Sequence, residues 1–411
     1  MRFLYTIAIR LYALGVRVAA LFGHAKAKLW VEGRRSSALL DEGPAAGDGD
    51  WIWFHAASLG EFEQGRPVIE ALKKEFPQYK ILLSFFSPSG YEIRKDYPLA
   101  DEVLYLPIDT LRNAAHWVKR HHFVAAFFIK YEFWFNYMRA LKEAGIPLLY
   151  ISLILGRDAY FFKPYGKWFL KQLGCVTHFF VQDDTTEQLL CGHGMDNITR
   201  CGDTRFDRVA AIALQAKPFP EVERFINGRK CIVAGSTWPP DERLLSAFIA
   251  NMPEDYCIIV APHDVSEAHV AQIMAMFSGA VRYSGFSSSG QANILVIDTI
   301  GMLSQLYQYA RFAYVGGGFG VNIHNIQEPV AFGCPVVFGP KYKSFKEAVD
   351  LVALKGAFSV EDEKQLKRIF DSLISDNGFF NNASVTCSDY LKSQLGATES
   401  IVQGFRQIMF F

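Results

Sequence analysis

From Trp51 onward, short continuous apolar runs alternate with segments of helical periodicity, and this alternation restricts the fold more than any other feature of the chain. WIWFHAA, KILLSFF, EVLYLP, FVAAFFI, PLLYISL and THFFVQ are apolar nearly throughout, as strands covered on both faces must be. KCIVAGS, YCIIVAP, NILVID, FAYVGG and PVVFG form a second such set. Strands separated by helices become parallel sheets through βαβ crossovers, so the expected class is α/β with two Rossmann-like doubly wound domains. Sheets of this kind bind ligands at the carboxyl ends of their strands, so a ligand is expected in the cleft between the domains.

The boundary falls near 208–228, where TRFDRVAAIALQAKPFPEVERFING is broken by Pro218 and Pro220. With 411 residues, half of them hydrophobic, the chain has room for two or three domains of about 100–200 residues each, and disorder is excluded. Lys plus Arg (42) balance Asp plus Glu (42), so no overall field draws in a polyanion and nucleic acid is not an expected partner. The seven cysteines stand singly, without a C-x-x-C pair, which argues for a reducing compartment and against a disulfide framework or a zinc site. Cys231 and Cys257 lie inside strand-like runs, where a thiol serves as a small hydrophobe.

The first 23 residues, MRFLYTIAIRLYALGVRVAALFG, are apolar and aromatic but carry Arg2, Arg10 and Arg17. At about 100° per residue the three arginines share roughly one quadrant of a helix, and the other faces stay apolar. A spanning helix would carry Arg10 near its centre at about 2.5–3.5 kcal/mol, and a signal peptide would want an unbroken apolar region there. The pattern therefore favours a helix lying in a membrane interface; a tilted or shallow span and a buried domain helix are the alternatives. Lys26, Lys28, Arg34 and Arg35 follow, suiting anionic headgroups and a cytoplasmic body, and DEGPAAGDGD at 41–50 reads as a linker.

Several polar residues fall just past strand ends. In HAASLGEFEQGRPVIEALKK a strand stops, Ser58-Leu59-Gly60 turns, and a helix begins with Glu61 at the mouth of the sheet, where a general base would stand. The plainer alternative is that Glu61 or Glu63 complements the helix dipole. Ser87-Pro88-Ser89-Gly90 can cap a helix or hold an anion, and Lys130 and Glu132 in FFIKYEFWFNY either pair with each other or meet a ligand. VGGGFGVNIHNIQEP has Gly316, Gly317 and Gly318 after a strand, which permits close approach of a ligand. It is no dinucleotide fingerprint, because the third glycine of G-x-G-x-x-G would fall at Val321. Glu328, four residues after His324, suits ribose hydroxyls. Two further loops, Ala261-Pro262-His263-Asp264 and Asp298-Thr299-Ile300-Gly301-Met302, end strands of the same set, although a lone histidine such as His263 is more often structural than catalytic.

Taken in order, HAASLGE, SPSGYE, EFWFN, CGDTRFD, GSTWPPDE, DTIGMLSQLY, VGGGF, HNIQEP and FGPKYKSFKEA resemble the Kdo transferases, membrane-associated GT-B glycosyltransferases of lipopolysaccharide assembly. The resemblance runs over nearly the whole chain. It implies an amphipathic helix and linker over 1–47, an acceptor domain over 48–212 and a CMP-Kdo donor domain over 213–411. The implied donor is CMP-Kdo and the implied acceptor is a tetra-acylated, phosphorylated glucosamine disaccharide, a lipid A precursor. Transfer would invert configuration without a catalytic metal or other cofactor, at the cytoplasmic face of the inner membrane. Carried over by position, Glu61 is the base; Asn325, Ile326, Gln327 and Glu328 hold CMP, with Glu328 on the ribose; Pro262, His263, Ile300, Gly301 and Met302 complete the nucleotide site. Arg205 matches a basic position that stabilises the leaving group. Two departures stand out. The family often has an acidic residue where this chain has Lys130, and many relatives read Pro-Arg-His where it has Ala261-Pro262-His263, leaving Arg205, Lys341 or Lys343 to supply the charge. The rival readings are a GT-B envelope enzyme using a UDP-sugar and a catalytically silent membrane-associated binding protein.

Overall fold

A computed structural model describes residues 1–41, 49–286 and 292–410. Most of the expected linker, 42–48, lies outside the described residues. The chain divides into two units, 1–207 with 396–411, and 208–395.

The first unit holds a parallel sheet of β1 (Trp51–Ala56), β2 (Lys80–Phe85), β3 (Glu102–Tyr105), β4 (Phe123–Ile129), β5 (Leu148–Leu153), β6 (His178–Val181) and β7 (Ile198–Arg200) in the order β3-β2-β1-β4-β5-β6-β7. The second holds β8 (Lys230–Thr237), β9 (Tyr256–Pro262), β10 (Ala280–Arg282), β11 (Ile294–Val296), β12 (Ala310–Val315), β13 (Val336–Phe338) and β14 (Ala357–Ser359) in the order β10-β11-β9-β8-β12-β13-β14. Both are doubly wound, as the apolar runs predict. β7, β10 and β14 escape a pattern-based reading because three-residue strands such as ITR, AVR and AFS carry no apolar run. The winding reverses between β1 and β4 in one sheet and between β8 and β12 in the other, which makes the loops after those strands the places to look for a site.

In the first unit, Trp53 packs with Trp117, Phe128 and Tyr137 on one face of the sheet. On the other face Phe54 stacks on Phe127 at 4.6 Å, and Phe127 meets Phe405. Phe405 belongs to the C-terminal helix Ala397–Phe410, so the expected 213–411 domain loses its last helix to the first unit. The cause is apolar: Ile401, Val402 and Phe405 are buried against that sheet, and a side chain at Gly404 would strike Phe180 at 2.4 Å. Asp207 ties the helix start by accepting the amides of Gly396 (2.7 Å) and Thr398 (2.6 Å).

The N-terminal segment is two helices, α1 (Arg2–Leu21) and α2 (Ala25–Asp41), turned at Gly23 with φ +91°. Among the described residues α1 is the one helix long and apolar enough to cross a membrane. One side docks on the first unit: Thr6 and Ala13 are buried, the Tyr5 hydroxyl donates to Asp109 at 2.6 Å, and Arg2 donates to Asn136 at 3.1 Å. The opposite side leaves Phe3, Leu4, Ile7, Leu11, Leu14, Val18 and Leu21 exposed, with Arg10 and Arg17 beside them. Arg2 thus faces the protein rather than the arginine rim. Arg34 is no headgroup ligand either, being packed over Trp30 (3.7 Å) and Phe86 (4.6 Å) and donating to the carbonyls of Leu106 and Phe86.

Candidate functional site

α3 (Leu59–Glu75) begins where β1 ends, and Glu61 sits in its first turn. Its carboxylate accepts the backbone amides of Ala57 (2.5 Å) and Ser58 (3.3 Å), so the dipole-complementing role is real. Burial, followed by the charge of Glu132, nevertheless pushes the Glu61 carboxyl up to about 7, while those amides and Lys130 oppose the rise. A carboxyl poised near neutral pH is suited to taking a proton from a hydroxyl. Helix capping alone would lower its pKa.

Lys130 and Glu132 come from the loop after β4, across the winding reversal from Glu61. Lys130 has φ +60°, a left-handed conformation uncommon outside glycine, and its ammonium lies 5.6 Å from the Tyr131 ring. Glu132 is buried and held from several sides. The Trp134 indole donates to it at 2.7 Å, His55 Nε2 lies 3.1 Å from the same oxygen, and the Tyr150 hydroxyl donates to its carbonyl at 2.7 Å. His55 Nδ1 is 2.8 Å from Ser84 Oγ on β2. Sequence reading missed this His55-Ser84-Trp134 cluster; the available signal was one histidine and one serine inside wholly apolar runs.

Arg205 opens the helix Thr204–Leu214. The Thr204 hydroxyl donates to the carbonyl of Gln64 at 2.5 Å, which seats Arg205 beside the first turns of α3. Its guanidinium forks onto Asp203 (Nε to Oδ2 2.9 Å, Nη2 to Oδ2 2.5 Å), so its charge is already matched.

In the second unit the reversal lies between β8 and β12, and the loops there meet. Trp238, after β8, stacks on His263, after β9, at 4.6 Å; His263 stacks on His324 at 4.5 Å; the Trp238 indole donates to His324 Nε2 at 2.9 Å. Burial and the neighbouring His263 hold the His324 imidazolium below its usual range. The exposed Trp238 and His263 rings offer flat surface to a planar group. Asp241 organises this end from within, accepting the amides of Trp238 (3.0 Å) and Gly317 (3.0 Å) and the Tyr314 hydroxyl (2.8 Å).

Three expectations change here. Gly316 and Gly318 serve backbone packing rather than ligand approach: a Cβ at Gly316 would lie 2.3 Å from the carbonyl oxygen of Ser236, and one at Gly318 would lie 2.7 Å from the backbone of Gly339. Ile326 and Gln327 are buried, and Gln327 donates to Glu347 at 3.2 Å, so neither side chain reaches out to a nucleotide. Pro262 is buried at the end of β9, and the next residue, His263, is tied by its amide to the carbonyl of Thr237 at 3.0 Å. Asn325 is exposed and Glu328 half-buried; Asn325 accepts the Gln327 amide (3.0 Å) and donates to Glu328 (3.2 Å), which aims the carboxylate. Ile300 and Gly301 form an exposed turn after β11, Gly301 with φ +95°, and Met302 is half-buried against the core of the second unit.

Two doubly wound parallel units, each with polar residues gathered at its winding reversal, define the GT-B class of α/β proteins. Solved structures of that architecture agree: the UDP-GlcNAc 2-epimerase of Neisseria meningitidis superposes with a TM-score of 0.61 at 14% identity, covering 88% of this chain and 100% of that one. A second, described as a putative UDP-N-acetylglucosamine 2-epimerase from Listeria monocytogenes, gives 0.58 at 13%, covering 89% and 97%. The family model of 3-deoxy-D-manno-octulosonic-acid transferase (kdotransferase) matches residues 21–208. The 3-deoxy-D-manno-octulosonic acid transferase of Chlamydia pneumoniae is 26% identical over 77% of this chain and 75% of its own length, and that of Aquifex aeolicus 25% over 79% and 86%. The chain is thus similar to Kdo transferases, which are glycosyltransferases, over about four-fifths of its length.

Proposed function

We propose that the chain transfers Kdo from CMP-Kdo to an acylated, phosphorylated glucosamine disaccharide, a lipid A precursor, at the cytoplasmic face of the inner membrane. The observation that carries this reading is Glu61, a carboxyl raised to about 7 at the winding reversal of the first sheet beside Lys130 and Glu132. Glu61 takes the proton of the acceptor hydroxyl as the oxygen bonds to the anomeric carbon, the bond from that carbon to the CMP phosphate breaks, and configuration inverts. Glu328 and Asn325 hold the ribose, and the open face of Trp238 and His263 takes the base. Lys341 and Lys343, on the same unit, meet the charge growing on the departing phosphate, while Arg205 does so only by leaving Asp203. The proton and the phosphate charge are both served by side chains, so the reaction in this reading runs without a metal. The exposed apolar side of α1, with Arg10 and Arg17 beside it, supports a helix lying in an anionic membrane surface.

The test is mass spectrometry of the lipid after incubation with CMP-Kdo, acceptor and a chelator. Added Kdo units support the reading, and no addition despite binding of both substrates refutes it. CMP raising the melting temperature more than UDP separates it from a UDP-sugar enzyme.

A further inference from the structure

A cavity of about 650 Å³ lies in the first unit between the N-terminal helix pair and α4 (Pro88–Arg94). Its walls are mainly apolar, with Tyr12, Val16 and Ala19 on α1, Trp30 on α2, and Phe86 and Ile93 on the other side. The size is ordinary for a site that encloses a small ligand, about 300–1,000 Å³. Lys26, His24, Ser87, Ser89 and Glu92 mark its rim.

Two observations choose the occupant. The first is where the floor leads. Phe86 stacks at 4.6 Å on Trp134, whose indole holds Glu132, and the Ser87 amide donates at 2.7 Å to the carbonyl of Ala57, the residue whose own amide holds Glu61. The cavity floor thus adjoins the residues that hold Glu132 and Glu61, so a chain whose polar end lies on that side is directed toward the proposed base. The second is the lining itself, apolar along its walls and polar only at Lys26, His24, Ser87, Ser89 and Glu92, the pattern of a site for an apolar chain that carries a polar head.

We infer that this cavity is an acyl-chain site, which seats one fatty chain of the lipid acceptor and thereby delivers the sugar hydroxyl to Glu61. The inference rests on the proposed acceptor being a lipid and adds where its chain is read. Chain length then becomes a specificity term: each methylene that enters the cavity tightens the acceptor about fourfold until the cavity is full.

Ala19→Trp fills the cavity from α1, and Ile93→Asp places a charge at an exposed wall position where folding is not at stake. Steady-state transfer is measured in detergent with acceptors of graded chain length and with the de-acylated disaccharide phosphate, and unfolding is followed for each variant. Both variants should raise KM for acylated acceptor at least tenfold, flatten its dependence on chain length, and leave KM for CMP-Kdo and the rate on de-acylated acceptor unchanged. Unchanged KM for acylated acceptor overturns the inference. So does a loss confined to flotation with phospholipid vesicles, which would assign the cavity to a bilayer lipid. If the wild-type protein transfers Kdo to neither acceptor, the proposed function has failed, and equilibrium binding of the acylated disaccharide to wild type and Ala19→Trp decides the cavity: a tenfold difference supports it and equal binding rejects it.

Discussion

Replacing Glu61 by Gln keeps the shape and keeps an oxygen that accepts the Ala57 and Ser58 amides, but removes the charge and the basicity. Two effects of opposite sign follow. Loss of a general base costs about 10²–10⁴ in kcat. Stability moves the other way. With the carboxyl at about 7 in the folded chain against an ordinary 4.5, folding favours the protonated form, so wild-type stability falls as pH rises from about 4.5 to 7 and the full penalty stands above 7. The shift corresponds to roughly 3 kcal/mol at about 1.4 kcal/mol per unit. Glu61 is partly accessible to solvent, which screens this to about 1–2 kcal/mol. The Gln variant should therefore be more stable than wild type by about that much at pH 8, with the advantage gone by pH 4.5. Urea titrations at the two pH values measure this, alongside kcat and CMP affinity on the same preparation. Wild-type kcat should rise with pH through about 7, and the variant's small residual rate should lack that rise. A loss of kcat below tenfold, or an equal loss of CMP affinity, would refute the assignment of Glu61 as base, since the nucleotide is assigned to the other unit.

Glu328→Ala should weaken CMP about 10–100-fold, read by calorimetry, with acceptor KM unchanged; unaltered affinity would remove the ribose role. Asp241→Ala strands the amides of Trp238 and Gly317 and the Tyr314 hydroxyl, so a loss of about 3 kcal/mol or more is expected in denaturant unfolding, with weaker CMP binding through the displaced Trp238. Phe405→Ala should cost about 3–5 kcal/mol and lower the unfolding midpoint of the first unit, which limited proteolysis can follow separately from the second.

Short-range physics made much of this legible. Strands covered on both faces have to be apolar throughout, so eleven of the fourteen strands stand out as runs, and the loops after β1, β2, β4, β9, β11 and β12 can be marked for a site from the sequence. Glu61, Lys130, Glu132 and His263 stand out as candidates because polar residues placed just after such runs have few reasons to be there except capping, pairing or chemistry. The same reading went astray where a residue's role depends on what lies opposite. Gly316 and Gly318 looked like room for a ligand and proved to be room for Ser236 and Gly339. Arg34 looked like a surface charge and is a clamp on Trp30 and Phe86.

By itself, then, the sequence determined the α/β class, the division into two sheets, the apolar N-terminal helix and the set of polar loop residues. All of these follow from periodicity and from neighbours within a few positions along the chain. Tertiary structure alone decided that the last helix returns to the first unit, that His55, Ser84 and Trp134 brace Glu132, that Trp238, His263 and His324 form one stack, and that the helix pair encloses a cavity against Phe86. Each of these joins residues tens to hundreds of positions apart. Which distant apolar faces meet, and how far burial moves a carboxyl such as Glu61, depends on the packed surroundings, which no local pattern encodes.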